Sequence, residues 1–327
     1  MQSLAGSTTA VVTLFLACSV LLVRPCLAQN SLEGDSPAPR MNLQQARDYM
    51  LSLINRDRAA HGVAPVQMDT EATKAGQWHS DEMAKKLFNG HWHPDGTKPQ
   101  RRYTLCGGMD YDAENSHGCL PNSQFTTEVA ADQSFTASEI EKEEACYFDE
   151  VPPRDGHRKN ILDPGRTHVG IGLTLITLTA GDTQYRQIIS SQEFVNKFGR
   201  YRISAGEMKP NVPFSFGGVL QPGYAVHSVS VSWEKAPAPI SLDELRATTG
   251  PYSYSYSGPS KPLLTVFPLS YAQLPNAHLQ ANGNKFLCEI IPERSWKPGL
   301  YYVLFWVKPE NNDPVPASQI VVPLPKD

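Results

Sequence analysis

The chain has 327 residues, with 29 basic and 33 acidic side chains, a net charge of −4 and 40% hydrophobic residues. The acidic balance excludes the basic face that binding a phosphate backbone requires, so nucleic acid is not an expected partner. The length suits two domains rather than one.

Val11 to Val23 is an apolar run of leader length, followed by Arg24-Pro25-Cys26-Leu27-Ala28-Gln29. It is too short to span a membrane, and small residues at the last and third-last positions put cleavage after Ala28. Residues 1–28 therefore read as a signal peptide. A lipoprotein reading at Cys18 competes with it, and no basic residue precedes the apolar run. The expected product is secreted, periplasmic or extracellular, with no transmembrane segment in the mature chain. Cys18 and Cys26 leave with the leader, which carries one basic residue, Arg24, and no acidic one. Four cysteines remain in an oxidising compartment. Cys106 and Cys119 close a short loop around Glu114 and are the expected disulfide; Cys146 and Cys288 are either paired across domains or free.

Residues 29–41 read as a flexible N-terminal segment. Asn42 then caps a helix whose Leu43, Ala46, Met50, Leu53 and Ile54 recur at helical spacing, stopped by Gly62 and Pro65. A second helix is predicted from Glu71 to Phe88, with Ala72, Ala75, His79, Met83 and Leu87 on one stripe and His79 on the buried face. A third begins at Thr136, where Glu139 completes a capping-box pattern, and ends before Pro152-Pro153. Thr167 to Leu178 and Gln184 to Asn196, rich in β-branched residues and separated by Ala180-Gly181-Asp182, predict a hairpin. Helices followed by antiparallel strands imply an α+β arrangement rather than a doubly wound sheet.

Four separate words punctuate this stretch: His91-Trp92-His93-Pro94-Asp95-Gly96, Ala113-Glu114-Asn115 in a loop, Gly156-His157-Arg158-Lys159-Asn160-Ile161-Leu162 leading towards a strand, and Val169-Gly170-Ile171-Gly172 on that strand. Their order makes the set more specific than any one alone. The set resembles the CAP superfamily of cysteine-rich secretory proteins, venom allergens, plant pathogenesis-related proteins and SCP-like bacterial secreted proteins, over roughly residues 43–196. The resemblance implies an α-β-α sandwich for residues 42–198, with a cleft lined by two histidines and two acids. His91 matches the first histidine, because it stands five positions before Gly96; Glu114 carries over although Ala113 replaces the usual Gly; His157 matches the second histidine. Glu150 is the best match for the second acid, with Glu144 as its rival.

Two neutral imidazoles and carboxylates can ligate or orient a divalent cation, here Zn²⁺, Mg²⁺ or Ca²⁺, so His91, Glu114, Glu150 and His157 form the candidate metal set. No organic cofactor is implied. A hydrogen-bonded polar cluster that binds nothing is the competing reading. An alternative hydrolase, a peptidase or esterase, would use His157, Glu114 and Ser116, but there is no Gly-x-Ser-x-Gly elbow, and the balance leans away from an enzyme. The leading reading is a secreted binding module for a lipid, a cell-envelope component or an extracellular protein; a non-catalytic structural module is the third. His79 reads as a core histidine. His93 reads as a solvent-facing loop residue, or as a second ligand in His-x-His, and His117 as a loop residue able to reach the cleft mouth. Arg154, Arg158 and Lys159 are expected to pair with Asp149, Asp155 and Asp163, and Trp78 and Trp92 to pack in the core.

The texture changes at residues 199–212, read as a linker before a β domain over 213–327. Val229, Val231 and Trp233 alternate with serines, a half-buried strand pattern. Further strands are expected at Leu263 to Phe267, Phe286 to Ile290, Leu300 to Val307 and Gln319 to Leu324, and Tyr252 to Ser257 reads as a polar loop or exposed strand. Lys297-Pro298-Gly299-Leu300-Tyr301-Tyr302-Val303 resembles a corner of an immunoglobulin-like sandwich in which a Tyr ties down the turn. No ligand set stands out there, so a passive module for adhesion or spacing is expected.

Overall fold

The computed structural model describes residues 38–247, 259, 261–268 and 274–326. The leader and the Tyr-Ser run at 252–257 lie outside the described residues. No described helix is long and apolar enough to cross a membrane.

Strand β1 (Arg40–Met41) precedes α1 (Leu43–Ala60), so the end of the expected flexible segment is paired, with β5 (Phe135–Thr136). Asn42 caps α1 reciprocally: its side chain accepts the Gln45 N–H at 3.0 Å, and the Gln45 side chain accepts the Asn42 N–H at 2.9 Å. Strand β2 (Gln67–Met68) leads to α2 (Thr70–Lys86), capped by Asp69 and ended by Leu87 in the left-handed region at φ 52°. Helix α3 (Pro99–Leu105) has no counterpart among the expected elements, and the Ala-Glu-Asn word lies on strand β3 (Tyr111–His117) instead of in a loop. Strands β4 (Thr126–Val129) and β5 lead to α4 (Ala137–Phe148), whose capping box at Thr136 and Glu139 is present. The stretch expected to lie at a strand mouth is itself a helix, α5 (Gly156–Leu162). The hairpin of β6 (His168–Ala180) and β7 (Thr183–Asn196) follows, with Gly181 at φ 56° in its two-residue turn.

These elements make an α+β sandwich. The sheet runs β2-β6-β7-β3, with β4 also on β6, and β3 is a terminal strand. Alternation along β6 divides the layers. Val169, Ile171, Leu173 and Leu175 join the core under α1, α4 and α5, whereas Ile176 and Leu178 pack with Met83 and Ala84 of α2. The Val-Gly-Ile-Gly word has a steric cause. A Cβ on Gly170 would lie 2.0 Å from the Ala72 backbone, and one on Gly172 would lie 2.1 Å from the Gly76 carbonyl oxygen, so helix and strand meet backbone to backbone.

The expected Cys106–Cys119 bridge is absent: both are free thiols. Cys106 ends α3 and packs with Ala72 and Ala75, while Cys119 packs near Met83 and Ala84 at the other end of α2. The loop the sequence suggested is the extended strand β3, and seven extended residues at about 3.3 Å each hold the two sulfurs far beyond bridging range. Cys288 is likewise a free thiol, inside the C-terminal core, which excludes it from the cross-domain pairing.

The stretch 199–212 is more than a linker, because β8 (Gly199–Ile203) belongs to the second core. With β9 (Phe214–Leu220), β10 (Tyr224–Glu234), helix α6 (Leu242–Arg246), β11 (Pro262–Val266), β12 (Ala277–Asn282), β13 (Lys285–Ile290), β14 (Gly299–Pro309) and β15 (Val315–Leu324) it completes the fold. Two antiparallel four-stranded sheets, β12-β13-β9-β8 and β11-β10-β14-β15, share one core in which Phe286 and Phe305 stack at 4.2 Å. The Tyr301 hydroxyl donates to the Lys297 carbonyl at 2.8 Å, tying down the turn before β14. This sandwich is fastened to the first. Arg101 donates to the Val321 carbonyl at 2.6 Å, the Val321 N–H to Thr104 at 3.1 Å, and Arg246 to the carbonyls of Lys86 and Leu87.

Gly172→Ala is expected to cost at least about 2–3 kcal/mol, because neither backbone can retreat without opening the layer. Gly206→Ala meets nothing within 4 Å and should change stability by less than about 0.5 kcal/mol. Urea melts of the two variants that gave equal losses would contradict this account of the glycine pair.

Candidate functional site

The site is built on β3. Its alternation sends Glu114 and Ser116 to the α2 side of the sheet and Asn115 and His117 to the α4 side, and its register sets Glu114 directly opposite Glu193 of β7. On the α2 side Glu114 is fully enclosed. Arg102 of α3 donates through Nη2 to Glu114 Oε2 and, at 3.3 Å, to Glu193 Oε1. Its Nη1 reaches the His91 carbonyl at 3.4 Å. His91 Nδ1 lies 2.8 Å from Glu114 Oε1, and Ser191 Oγ donates to Oε2 at 3.3 Å. Ser116 Oγ is 3.4 Å from both His91 Nδ1 and the Gly90 carbonyl.

His93 is not a solvent-facing residue. It is 3% exposed, its Nε2 lies 2.9 Å from His79 Nδ1, and Trp78 packs edge-on against its ring. His79 Nε2 in turn meets the Gly90 carbonyl at 2.8 Å. This buried chain holds the His91 loop from below.

On the α4 side, Glu150 takes His157 twice: Oε1 is 2.8 Å from the ring Nδ1, and Oε2 accepts the His157 backbone N–H at 2.8 Å. Glu144, the rival acid, lies deeper, where Gln192 donates to it at 2.6 Å. Asn160 donates to Asn115 at 2.8 Å and Asn115 to Gln192 at 3.0 Å, so the Asn of the Ala-Glu-Asn word ties α5 to the sheet. His117 Nδ1 sits 3.0 and 3.1 Å from the two oxygens of Glu143. Tyr147 stands edge-on to both His117 and His157, its hydroxyl held by Ser190. Of the small basic cluster, Lys159 pairs with Asp155 at 2.8 Å, whereas Arg158 donates to the Phe148 carbonyl instead of an aspartate.

Burial sets the protonation states. His91 is pushed down to about 3 by burial, with the charges of His157 and Arg102 adding to it, so near neutrality it donates Nδ1–H to Glu114. Burial likewise takes His93 down to about 2. Burial raises Glu193 well above the carboxylate range, and Glu114 beside it adds to the effect, so Glu193 keeps its proton and Glu114 carries the charge that answers Arg102. Burial raises Asp112 to about 8 and Asp110 to about 7. Burial would also raise Glu150, but the hydrogen bond and charge of His157 outweigh it and hold the carboxyl low.

His91, Glu114, Ser116, Glu150 and His157 are therefore placed as two histidine–carboxylate pairs on either side of β3, with Ser116 beside the first. Arg102, Glu193, Glu143 and Tyr147 also belong to these clusters and were not among the residues expected from sequence. One signal was present: Ser190-Ser191-Gln192-Glu193 is a polar run within an otherwise apolar strand, and all four residues are fully buried.

Residues 51–185 match the family model described as CAP, the cysteine-rich secretory protein family. The uncharacterized protein YkwD of Bacillus subtilis (strain 168) is 28% identical over 123 residues, 38% of this chain and 40% of that protein. Among solved structures, an extracellular protein containing a SCP domain from Bacillus anthracis is 17% identical, covering 50% of this chain and 45% of that one, with a TM-score of 0.32. An outer surface protein of Borrelia burgdorferi is 11% identical, covering 49% of this chain and 99% of that one, also at 0.32. The chain spans less than half the length of the first two.

Two predictions follow from the burial. Removing the guanidinium in Arg102→Met strands the Glu114 charge and should cost about 3–5 kcal/mol, whereas Glu193→Gln keeps a neutral donor and should cost less than about 1 kcal/mol. Chemical denaturation decides between them, and comparable losses would overturn the protonation assignment. The second concerns pH. Asp110 and Asp112 bind protons in the fold that the unfolded chain releases near 3.8, so their contribution is lost as pH rises from about 4 towards 7 and 8. His91 and His93 act oppositely, their contribution being lost as pH falls from 6.5 to about 3 and 2. The two slopes oppose each other below 6.5; above it the raised groups, Glu144, Glu193 and His117 along with the two aspartates, all act in the direction of lost stability. Thermal melts should fall between pH 6.5 and 8.5, and Asp112→Asn should flatten that fall; an unchanged slope in the variant would refute it.

Proposed function

We propose that this chain, whose residues 51–185 are a CAP domain, is an exported binding protein whose cleft holds a divalent cation between His91 and His157. The observation that carries the reading is the matching treatment of the two rings. Each Nδ1 lies 2.8 Å from a carboxylate, Glu114 for His91 and Glu150 for His157. A carboxylate on Nδ1 orients an imidazole and makes Nε2 the ligating atom, the arrangement common around histidine-bound metals. The donor set fits such an ion. Glu114 and Glu150 act as orienting groups rather than ligands, since Glu114 already answers Arg102 and Glu150 already holds the His157 backbone. Two imidazoles suit Zn²⁺ better than Mg²⁺ or Ca²⁺, which prefer all-oxygen shells.

When bound, the ion supplies a Lewis-acidic point to which a ligand oxygen can coordinate. A lipid headgroup, a cell-envelope component or an extracellular protein carboxylate each offers one. The apolar leader before Ala28 supports export. The hydrolase reading is less well supported. Ser116 is 7% exposed, and the imidazole nitrogen nearest its hydroxyl is the one committed to Glu114.

Calorimetric titration with Zn²⁺ tests the proposal. His91→Ala/His157→Ala should bind one equivalent fewer than the wild type, and His157→Ala alone, at a half-exposed position, should weaken that equivalent at least about tenfold. Wild-type stoichiometry and affinity in the double variant would end the proposal.

A further inference from the structure

The geometry points to a second, thiolate-containing metal site, formed by His117, Glu143 and Cys146 and suited to Zn²⁺ or another thiophilic divalent ion. It uses none of the residues assigned above. Glu143 and Cys146 stand three residues apart on one face of α4, and His117 ends β3 opposite them. One ligand atom from each lies within 4.8 Å of the other two. Around a tetrahedral zinc, N, O and S ligands at about 2.0–2.3 Å from the metal stand about 3.3–3.8 Å from one another, so closure needs only side-chain rotation. The donor types are those zinc takes: an imidazole nitrogen, a carboxylate oxygen and a thiolate sulfur.

Three further observations favour a built site over a chance group. Ser190 Oγ donates to Glu143 Oε1, which fixes the carboxylate with both of its oxygens facing His117 Nδ1. Tyr147, whose ring stands edge-on to His157 as well, packs edge-on against the His117 ring and limits its rotation. Access runs from solvent, because Cys146 is exposed and His117 is half-buried while Glu143 forms the buried floor. On binding, the ion takes the place of the proton between His117 Nδ1 and Glu143, and the Cys146 thiol releases its proton to solvent. The fourth position is left to water or an external ligand. Charge is conserved within the site, since the thiolate and the carboxylate offset the divalent ion.

The test uses Co²⁺ alone as a spectroscopic stand-in for Zn²⁺. One equivalent added to the whole mature chain should produce a near-ultraviolet thiolate-to-cobalt charge-transfer band, and Zn²⁺ should bleach it. Cys146→Ser should abolish the band, and His117→Asn should weaken Co²⁺ binding at least about tenfold. Cys146 is exposed, so its variant is expected to keep the wild-type melting temperature. His91→Ala/His157→Ala should retain the band, which separates this site from the two-histidine cation: loss of zinc there with the band intact affects only the earlier proposal. Absence of the band in the wild type, or its survival in Cys146→Ser, would overturn the present one.

Discussion

The Arg102–Glu114 pair sits where a terminal strand, a short helix and the His91 loop meet, and each depends on it. Among the described residues close to it are three acids, Asp112, Glu114 and Glu193, and burial raises all three carboxyls. One guanidinium cannot answer three buried charges, so the cluster is consistent only if protons remain on Glu193 and Asp112. Glu114 is then the carboxylate that stays ionised. From this its effect on His91 follows: a fixed anion accepts Nδ1–H, selects the tautomer and sets the ring plane.

The two histidines reach similar arrangements by different routes. His91 is held deep, by a carboxylate that is itself locked in an ion pair, with His79 and His93 stacked at 5.0 Å beneath its loop. His157 is held at the surface, at the start of α5, where Glu150 grips backbone and ring together. Depth explains the electrostatic contrast. Burial drives His91 neutral, whereas the partly exposed Glu150 is held low by its histidine. The pair thus combines one enclosed neutral imidazole with one that is partly exposed to solvent.

Much of this was legible in the sequence where the signal is local. The caps at Asn42 and Thr136 and the β6–β7 hairpin are written in short-range patterns, and the structure contains all of them. The ordered words picked out His91, Glu114 and His157, which the fold places in two histidine–carboxylate pairs on either side of β3. Long-range causes were not legible. Cys106 and Cys119 looked bridgeable because sequence distance is small, but an extended strand between them makes spatial distance large. The Arg102 partnership joins a helix that has only seven residues and no periodic signature, and the role of Glu193 depends on a register that only the folded sheet sets. His93 resembled an exposed loop residue because its burial comes from His79 and Trp78, both on α2. Val169-Gly170-Ile171-Gly172 was read as a family word, and only the helix–strand approach supplies the reason for its glycines.

The C-terminal sandwich has more to do with the cleft than a spacer would. Helix α3 carries Arg102, and the residues on either side of it, Arg101 and Thr104, bond to Val321 of β15 in the second sandwich, while Lys98 at the start of α3 pairs with Glu234 of β10 at 2.5 Å. Gly96, in the loop that leads from His91 to α3, lies against Pro237 and Ala238, so that a Cβ there would come within 2.7 Å of the Pro237 Cβ. The Ile240 N–H donates to the Pro94 carbonyl at 2.7 Å. The chain from His91 to Arg102 is thus clamped by the second sandwich along most of its length. A seven-residue helix has little stability of its own, so the position of the guanidinium that holds Glu114, and through it His91, is set as much by β10 and β15 as by the sheet on which Glu114 stands.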